Sequence, residues 1–334
     1  MSQKKNILIT GVCGFIGFHL ATEIINNKKF IVIGLDNIND YYDKKLKKDR
    51  LAILKKNKNF KFIKADISNN TQFEKKLKNF NFFALYHLAA QAGVRYSIKN
   101  PISYVESNLI GTFHILEMAR KYKPDHLLMA STSSVYGSNK DMPLQETQKC
   151  DTQMSFYAAT KKSNEVMAHS YSHLYDIPTT MFRFFTVYGP WGRPDMALLK
   201  FTKNILSGKP IEIYNKGNMA RDFTYIDDLV HAIFLLISQM PKKANERKNI
   251  IKNDSISDVA PFRIVNIGNS QPINLLDYVK ELENVLGKVA KKFFLGMQDG
   301  DIHKTHSNIN LLKALTGFEP KTNMHEGISQ FVKW

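Results

Sequence analysis

The sequence predicts an α/β fold in which a doubly wound parallel sheet is followed by a smaller mixed α/β C-terminal domain. Three observations lead there. Short apolar runs alternate with amphipathic stretches through the first half of the chain, and a glycine-rich turn joins the first run to the first amphipathic stretch. Beyond Gly189 the alternation loosens, punctuated by Pro190, Gly192, Pro194, Gly208 and Pro210. Buried runs separated by helices are what parallel strands covered on both faces require.

The elements follow in order. Residues 6–10 read as a buried strand and 15–26 as a helix. Residues 30–35 form the next strand, and a basic helix follows over 43–55. Further strands are expected at 60–64, 82–87, 126–131 and 179–185, with amphipathic helices at 102–121 and 156–175. Residues 227–239 read as another helix, 241–258 as an exposed polar loop and 263–267 as a strand, and helices over 275–286 and 324–334 close the chain. No internal repeat is present. The expected division is a first domain over residues 1–188, to which 227–267 return, and a second built from 189–226 and 268–334.

Composition bounds the function. The 334 residues are 43% hydrophobic, enough for a full core. The first apolar run is too short for a signal peptide, and no stretch approaches the ~20 apolar residues of a membrane span. The two cysteines, Cys13 and Cys150, suggest neither a metal site nor a disulfide framework. The expectation is a soluble cytoplasmic protein with no metal and no membrane partner. The net charge of +17 raises the question of nucleic acid. The lysines are spread over 44–48, 55–58, 75–78, 242–252 and 288–292, without a basic arm. They read as solvated faces, and nucleic acid is not expected as a partner. A small anionic substrate would still be drawn by the field.

Gly11-Val12-Cys13-Gly14-Phe15-Ile16-Gly17 follows the first strand and opens the first helix. This G-x-x-G-x-x-G spacing carries the physics of a Rossmann-type dinucleotide turn. Gly11 permits the tight turn, Gly14 lets the backbone approach a pyrophosphate, and Gly17 lets helix and strand pack closely. The N–H groups of the helix start, at Phe15 and Ile16, face the anion. The second strand ends at Asp36, about 20 residues on, where a ribose-binding acid is expected. A carboxylate there accepts the 2′-hydroxyl and repels a 2′-phosphate, which favours NAD over NADP. Asn37 and Asn39 follow it. Asp66 and Ile67 end the third strand near the adenine, and Leu88, Ala89, Ala90 and Gln91 end the fourth. Asn108, Ser131, Phe184, Tyr157 and Lys161 complete the expected cofactor contacts, the lysine as a holder of the nicotinamide ribose.

Tyr157 and Lys161 stand at i and i+4, adjacent on one helical face. A tyrosine hydroxyl, with a pKa of about 10, is a poor base at neutral pH. A nearby ammonium and a cationic nicotinamide both favour phenolate, which can take an alcohol proton while hydride leaves for the cofactor. The hydroxyls of Ser131, Thr132, Ser133 and Ser134 end the fifth strand and can orient the reacting oxygen.

Together these residues resemble the extended short-chain dehydrogenase/reductase family, over essentially the whole chain, and within it the UDP-glucuronate 4-epimerases. The strings that carry the resemblance are Leu35-Asp36-Asn37-Ile38-Asn39-Asp40-Tyr41-Tyr42, Ala89-Ala90-Gln91-Ala92-Gly93-Val94-Arg95, the run from Arg183 to Ala197, and Arg221-Asp222-Phe223-Thr224-Tyr225-Ile226-Asp227-Asp228. The resemblance implies a tightly held NAD, a homodimer through the helices at 102–121 and 156–175, and Thr132, Tyr157 and Lys161 as the catalytic set. It implies that C4 of UDP-glucuronate is oxidised, that the 4-keto sugar rotates, and that UDP-galacturonate results, a precursor for surface polysaccharide. It places Ser133, Ser134 and Thr186 near the sugar carboxylate, and Arg193 and Arg221 near the uridine diphosphate. Arg95, Ala197, Tyr214 and Asp301 join this substrate set. The segment before Asp301 departs from the pattern at Gln298 and Asp299, and His303 departs after it.

Similar sugar 4,6-dehydratases carry Asp-Glu where this chain has Ser133-Ser134, and UDP-glucuronate decarboxylases carry Glu at the position of Ser134. Without those acids, elimination and decarboxylation lack their machinery. The 4-keto sugar is nevertheless a β-keto acid, and hydroxyls gripping its carboxylate would hold the breaking bond out of alignment with the carbonyl. The alternatives are a related enzyme on UDP-glucose or UDP-N-acetylglucosamine, the decarboxylase route, or a non-catalytic NAD-binding scaffold. The intact Tyr157, Lys161 and Thr132 argue against the last.

Overall fold

The structure is a computed structural model that describes residues 4–78, 80–247 and 251–334. In chain order its strands are β1 (Lys5–Thr10), β2 (Phe30–Asp36), β3 (Phe60–Lys64), β4 (Phe82–His87), β5 (His126–Thr132), β6 (Thr179–Phe184), β7 (Thr186–Tyr188), β8 (Ile211–Ile213), β9 (Ala220–Tyr225), β10 (Phe262–Ile267), β11 (Pro272–Asn274) and β12 (Lys292–Phe294). A seven-stranded sheet has the order β10-β6-β5-β4-β1-β2-β3, with every pairing parallel.

The apolar runs explain this sheet. Successive side chains of a strand point to opposite faces. Ile7 and Ile9 of β1 enter one core with Phe18, Ile233 and Val265, and Leu8 enters the other with Ile115, Ala168 and Met181. Helix Phe15–Asn26 packs against Ile226–Leu235 on the first face, and Gly111–Tyr122 packs against Phe156–Tyr175 on the second. Strand order reverses between β1 and β4, so their carboxyl ends diverge and leave a crevice. Two smaller sheets lie over that crevice. In one, β9 pairs parallel to β7 and antiparallel to β11; in the other, β12 pairs with β8.

Several expectations change in detail. The helix predicted over 102–121 is not regular: Ile102–Tyr104 leads into a π-helical segment, Val105–Ile110, before Gly111–Tyr122. The cause is Asn108, whose buried carboxamide reaches the Gln91 backbone and Thr160, and a one-residue widening of the helix aims it there. Strand 179–185 ends at Phe184, and Thr186–Tyr188 leave the main sheet to pair with β9. Helix 227–239 is α-helical over Ile226–Leu235 and tightens into a 3₁₀ turn at Leu236–Ser238. Residues 241–258, expected as an exposed loop, are partly docked. Arg263 grips Asp254 with two hydrogen bonds of 3.0 and 2.9 Å, and both side chains are largely buried. Residues 248–250 of that stretch lie outside the described residues. Short helices at Val94–Lys99, Ala197–Leu206 and Asn310–Thr316 were not anticipated. Among the described residues, no helix is long and apolar enough to cross a membrane.

Two histidines are sealed within the main sheet. His87 hydrogen-bonds the Thr10 and Thr112 hydroxyls at 2.8 and 3.1 Å. His126 bonds the Ile237 carbonyl at 3.1 Å and the Thr180 hydroxyl at 2.8 Å. Burial, aided by the Lys161 charge, pushes His87 down to about 3. Burial also pushes His126 down to about 4, against the pull of the Ile237 carbonyl. Unfolded histidine titrates near about 6.5, so below that pH the unfolded chain binds more protons than the folded one. The stability tied to these groups is therefore present above about pH 6.5 and is lost as pH falls toward their folded values. Thermal unfolding across this range is expected to show Tm falling with acid, and falling less steeply in His126→Gln. An unchanged slope in that variant would remove His126 from the account.

Candidate active site

The crevice between β1 and β4 opens into a cleft of about 1130 Å³. Its floor is the glycine turn. Gly11 has φ +72°, and a Cβ there would stand 2.8 Å from the Ala89 backbone at the end of β4. A Cβ on Gly17 would overlap the Gly11 carbonyl oxygen. Gly14 caps helix Phe15–Asn26 without a side chain, leaving the first amides open to the cleft. This cradle is shaped for an anion held by backbone N–H groups at a helix start. Gly11, Gly14, Phe15, Ile16 and Gly17 all line it.

Asp36 stands beside this turn at the end of β2. Its Oδ2 accepts from the Cys13 amide at 2.9 Å and its Oδ1 from the Ile38 amide at 2.7 Å, so the carboxylate is fixed before any ligand arrives. Burial pushes its pKa up, while the two amides pull it back. Asn37 donates to Asp66 at 2.8 Å. Despite burial, that bond and those from Ser68 hold the Asp66 carboxyl below its ordinary value. Asn39 accepts from Lys47 and bonds the Asn37 side chain through its amide at 3.0 Å. Ile67, Leu88, Ala89, Ala90, Gln91 and Phe184 line the same half of the cleft. Asn108 does not. It lies behind the wall, where its Oδ1 accepts from the Gln91 amide at 2.8 Å and its Nδ2 donates to Thr160 Oγ1 at 3.0 Å.

The chemical groups converge where this half meets the other. Ser155 caps helix Phe156–Tyr175 by accepting from the Ala158 amide, which sets Tyr157 in the first turn and Lys161 in the second. The Tyr157 ring packs edge-on against Tyr104, 6.0 Å away. Thr132, at the end of β5, accepts from the Ser134 amide at 3.2 Å and so starts the 3₁₀ turn Ser133–Tyr136. Burial pushes the Tyr157 phenol up, while the Thr132 hydroxyl and the Arg193 charge pull it down. Burial lowers Lys161 to about 8 against the opposing charge of Glu165. A further positive charge in the cleft is what would make phenolate accessible near neutral pH. Positions 133 and 134 bring only hydroxyls to this point.

The far half of the cleft is built from the smaller sheets. Thr186 opens β7, and Ala197 begins helix Ala197–Leu206. Arg193 pairs with Asp195, whose carboxylate also accepts from Tyr41 at 3.0 Å. Arg221 donates to Asp301 at 2.6 Å, Arg95 reaches the same carboxylate at 3.8 Å, and the Arg95 guanidinium lies 4.8 Å above the Tyr214 ring. Asp301 thus meets Arg221 in the cleft despite the departures around it. Sequence reasoning missed Arg50. This fully buried guanidinium donates to the carbonyls of Cys13 (2.9 Å), Trp191 and Gly192 (3.3 Å), tying the glycine turn to the segment that carries Arg193. The spacing of Lys47, Arg50, Leu51 and Leu54, all on the buried face of Lys44–Lys55, held the signal.

The model of the GDP-mannose 4,6 dehydratase family matches residues 8–331. The chain belongs to this family, one of the extended short-chain dehydrogenases/reductases. A relative from Rhizobium meliloti (strain 1021), named a probable UDP-glucuronate 4-epimerase, is 49% identical over 98% of this chain and 96% of its own. Protein CapI of Staphylococcus aureus is 48% identical over 98% of this chain and 97% of its own. Among solved structures, the UDP-glucuronic acid 4-epimerase of Bacillus cereus, in complex with UDP-glucuronic acid and NAD, superposes with a TM-score of 0.86. It is 34% identical, with 98% of both chains covered. The family takes its description from dehydratases, yet this member has no acid at positions 133 and 134.

Proposed function

We propose that this protein is an NAD-dependent UDP-glucuronate 4-epimerase, interconverting UDP-glucuronate and UDP-galacturonate. One observation carries the reading: Thr132, Tyr157 and Lys161 meet at the joint of a dinucleotide cleft where Ser133 and Ser134 supply hydroxyls in place of acids. The relatives and the Bacillus cereus structure support it. The glycine turn, Asp36, Asn37, Asn39, Asp66, Ile67 and the ends of β4, β5 and β6 would hold NAD. Residues 1–188 with 227–267 would form the half that binds it, except that Thr186–Tyr188 pair with β9 and belong with the other half, and residues 189–226 with 268–334 would form the half that binds the nucleotide sugar.

Bound NAD supplies a hydride acceptor that is restored within each cycle, so no second redox substrate is needed. The chain's own residues handle the proton. Tyr157 Oη, as phenolate, takes it from the sugar 4-hydroxyl, and the Lys161 ammonium stabilises that phenolate. Thr132 orients the same oxygen. After the 4-keto sugar turns in the cleft, Tyr157 returns the proton to the oxygen now presented from the other face. Thr186, Ser133 and Ser134 hold the carboxylate, while Arg193, Arg221, Arg95 and Asp301 fix the uridine diphosphate.

We also infer a homodimer. Ile102, Ile110 and Phe113 on one helical run, and Phe156, Val166 and Leu174 on Phe156–Tyr175, are exposed apolar side chains on neighbouring elements. A seam of two such pairs would cover them.

Incubation of the purified protein with UDP-glucuronate and no added NAD is expected to give UDP-galacturonate by proton NMR. Tyr157→Phe is expected to cut turnover by roughly 10²–10⁴-fold while keeping NAD bound; wild-type turnover in that variant would sink the assignment. Replacing both Ser133 and Ser134 by Ala should raise the UDP-xylose by-product, and an unchanged product ratio would show that these hydroxyls do not restrain the carboxylate. Light scattering should read twice the chain mass, whereas a monomer at micromolar concentration would rule out the seam.

A further inference from the structure

Behind the Tyr157/Lys161 pair lies a buried carboxylate that this mechanism leaves idle. Glu165 sits one helical turn beyond Lys161 on Phe156–Tyr175. Its Oε1 accepts from Ser131 Oγ at 2.7 Å and from Arg183 Nε at 2.9 Å. Its Oε2 accepts from Arg183 Nη2 at 2.9 Å, with Lys162 Nζ at 3.4 Å. Ser131 immediately precedes Thr132 on β5, and Arg183 is its register partner on β6. One carboxylate therefore joins the helix bearing Tyr157 and Lys161 to the two strand ends that face them.

A structural ion pair would explain Arg183 but not the rest. The guanidinium forks onto both oxygens, and Ser131 takes a remaining acceptor site on Oε1, which ties β5 as well as β6 to the helix. The charge also stands at i+4 from Lys161, where side chains are neighbours. Among the described residues, the other groups around Lys161 offer no counter-charge. His87, from β4, is held neutral, Thr132 and Ser131 on β5 are uncharged, and Arg193 adds positive charge on the Tyr157 side. On the far side of Glu165, Arg183 also donates to the Glu146 carbonyl at 3.2 Å, lies 4.6 Å above the Tyr136 ring and has Cys150 nearby. Despite burial, Arg183 and Ser131 keep the Glu165 carboxyl below its ordinary value, and its charge opposes the loss of the Lys161 proton.

We propose that Glu165 is a positioning residue for the proton-transfer pair: it locks Ser131 and Thr132 against the helix and supplies the counter-charge that keeps Lys161 an ammonium. This rests on the reading of Tyr157 as the base. The pH profile of kcat for the NAD-loaded protein on UDP-glucuronate tests it. Without the negative charge both the amine and the phenol release protons more readily. In Glu165→Gln the alkaline limb is therefore expected to move to lower pH by about one unit, and Glu165→Asp should move it back toward wild type. A readout free of turnover is the phenolate absorbance of the NAD-bound, substrate-free protein, taken as the difference from Tyr157→Phe because the chain has 14 tyrosines. Its midpoint should move the same way. If Glu165→Gln fails to fold, the double variant Glu165→Gln/Arg183→Gln avoids stranding the Arg183 charge and is expected to move the limb the same way by less, because the opposing Arg183 charge leaves with the carboxylate. A limb and an absorbance midpoint at the wild-type pH, with kcat lowered evenly, would overturn the proposal and leave Glu165 a structural anchor. An active Tyr157→Phe would instead overturn the base assignment beneath it.

Discussion

The architecture depends on how closely one helix can approach one strand end. Gly17 sits against the Gly11 carbonyl, and Gly11 sits against the backbone of Ala89. These contacts bring the helix start down between β1 and β4, the one place where the sheet's winding reverses. A side chain at either position would lift the helix and close off the floor of the cleft. The ends of β2, β3, β5 and β6 then become walls, and a single ligand lying across them can touch residues far apart in the chain.

That geometry also explains why the chemistry lies where it does. The cap at Ser155 and the turn after Thr132 are local features, each set by one side-chain oxygen accepting a backbone N–H. They become a site only because β5 and β6 lie in register and the helix crosses behind them. With no carboxylate at positions 133 and 134, the proposed mechanism assigns the proton traffic to one phenol. A single base that both removes and restores a proton suits an isomerisation and leaves nothing to drive elimination.

Much of this was legible in the sequence because it obeys local rules. Apolar runs mark β1 to β6 and β10, glycines mark the turn, and a spacing of four marks Tyr157 and Lys161. What escaped depends on distance. The π-helical segment exists because Asn108 must reach Gln91 and Thr160, partners no window around residue 108 contains. Glu165 reads as an ordinary polar helix residue until β6 brings Arg183 beside it. Helix Ala197–Leu206 buries Leu198, Phe201 and Ile205 at helical spacing, but it lies where prolines and glycines break the alternation and no element stood out.

Arg50 carries one more consequence. Its guanidinium holds the carbonyls of Cys13, Trp191 and Gly192 together, so the backbone before Arg193 is pinned to the floor on which the other half is built. Parting the two halves at that seam would strand a buried cation without its acceptors. The segment from Phe293 to Asp301 closes the opposite wall, held through the short β12, the Leu295 and Gly296 backbone and the Arg221–Asp301 bond.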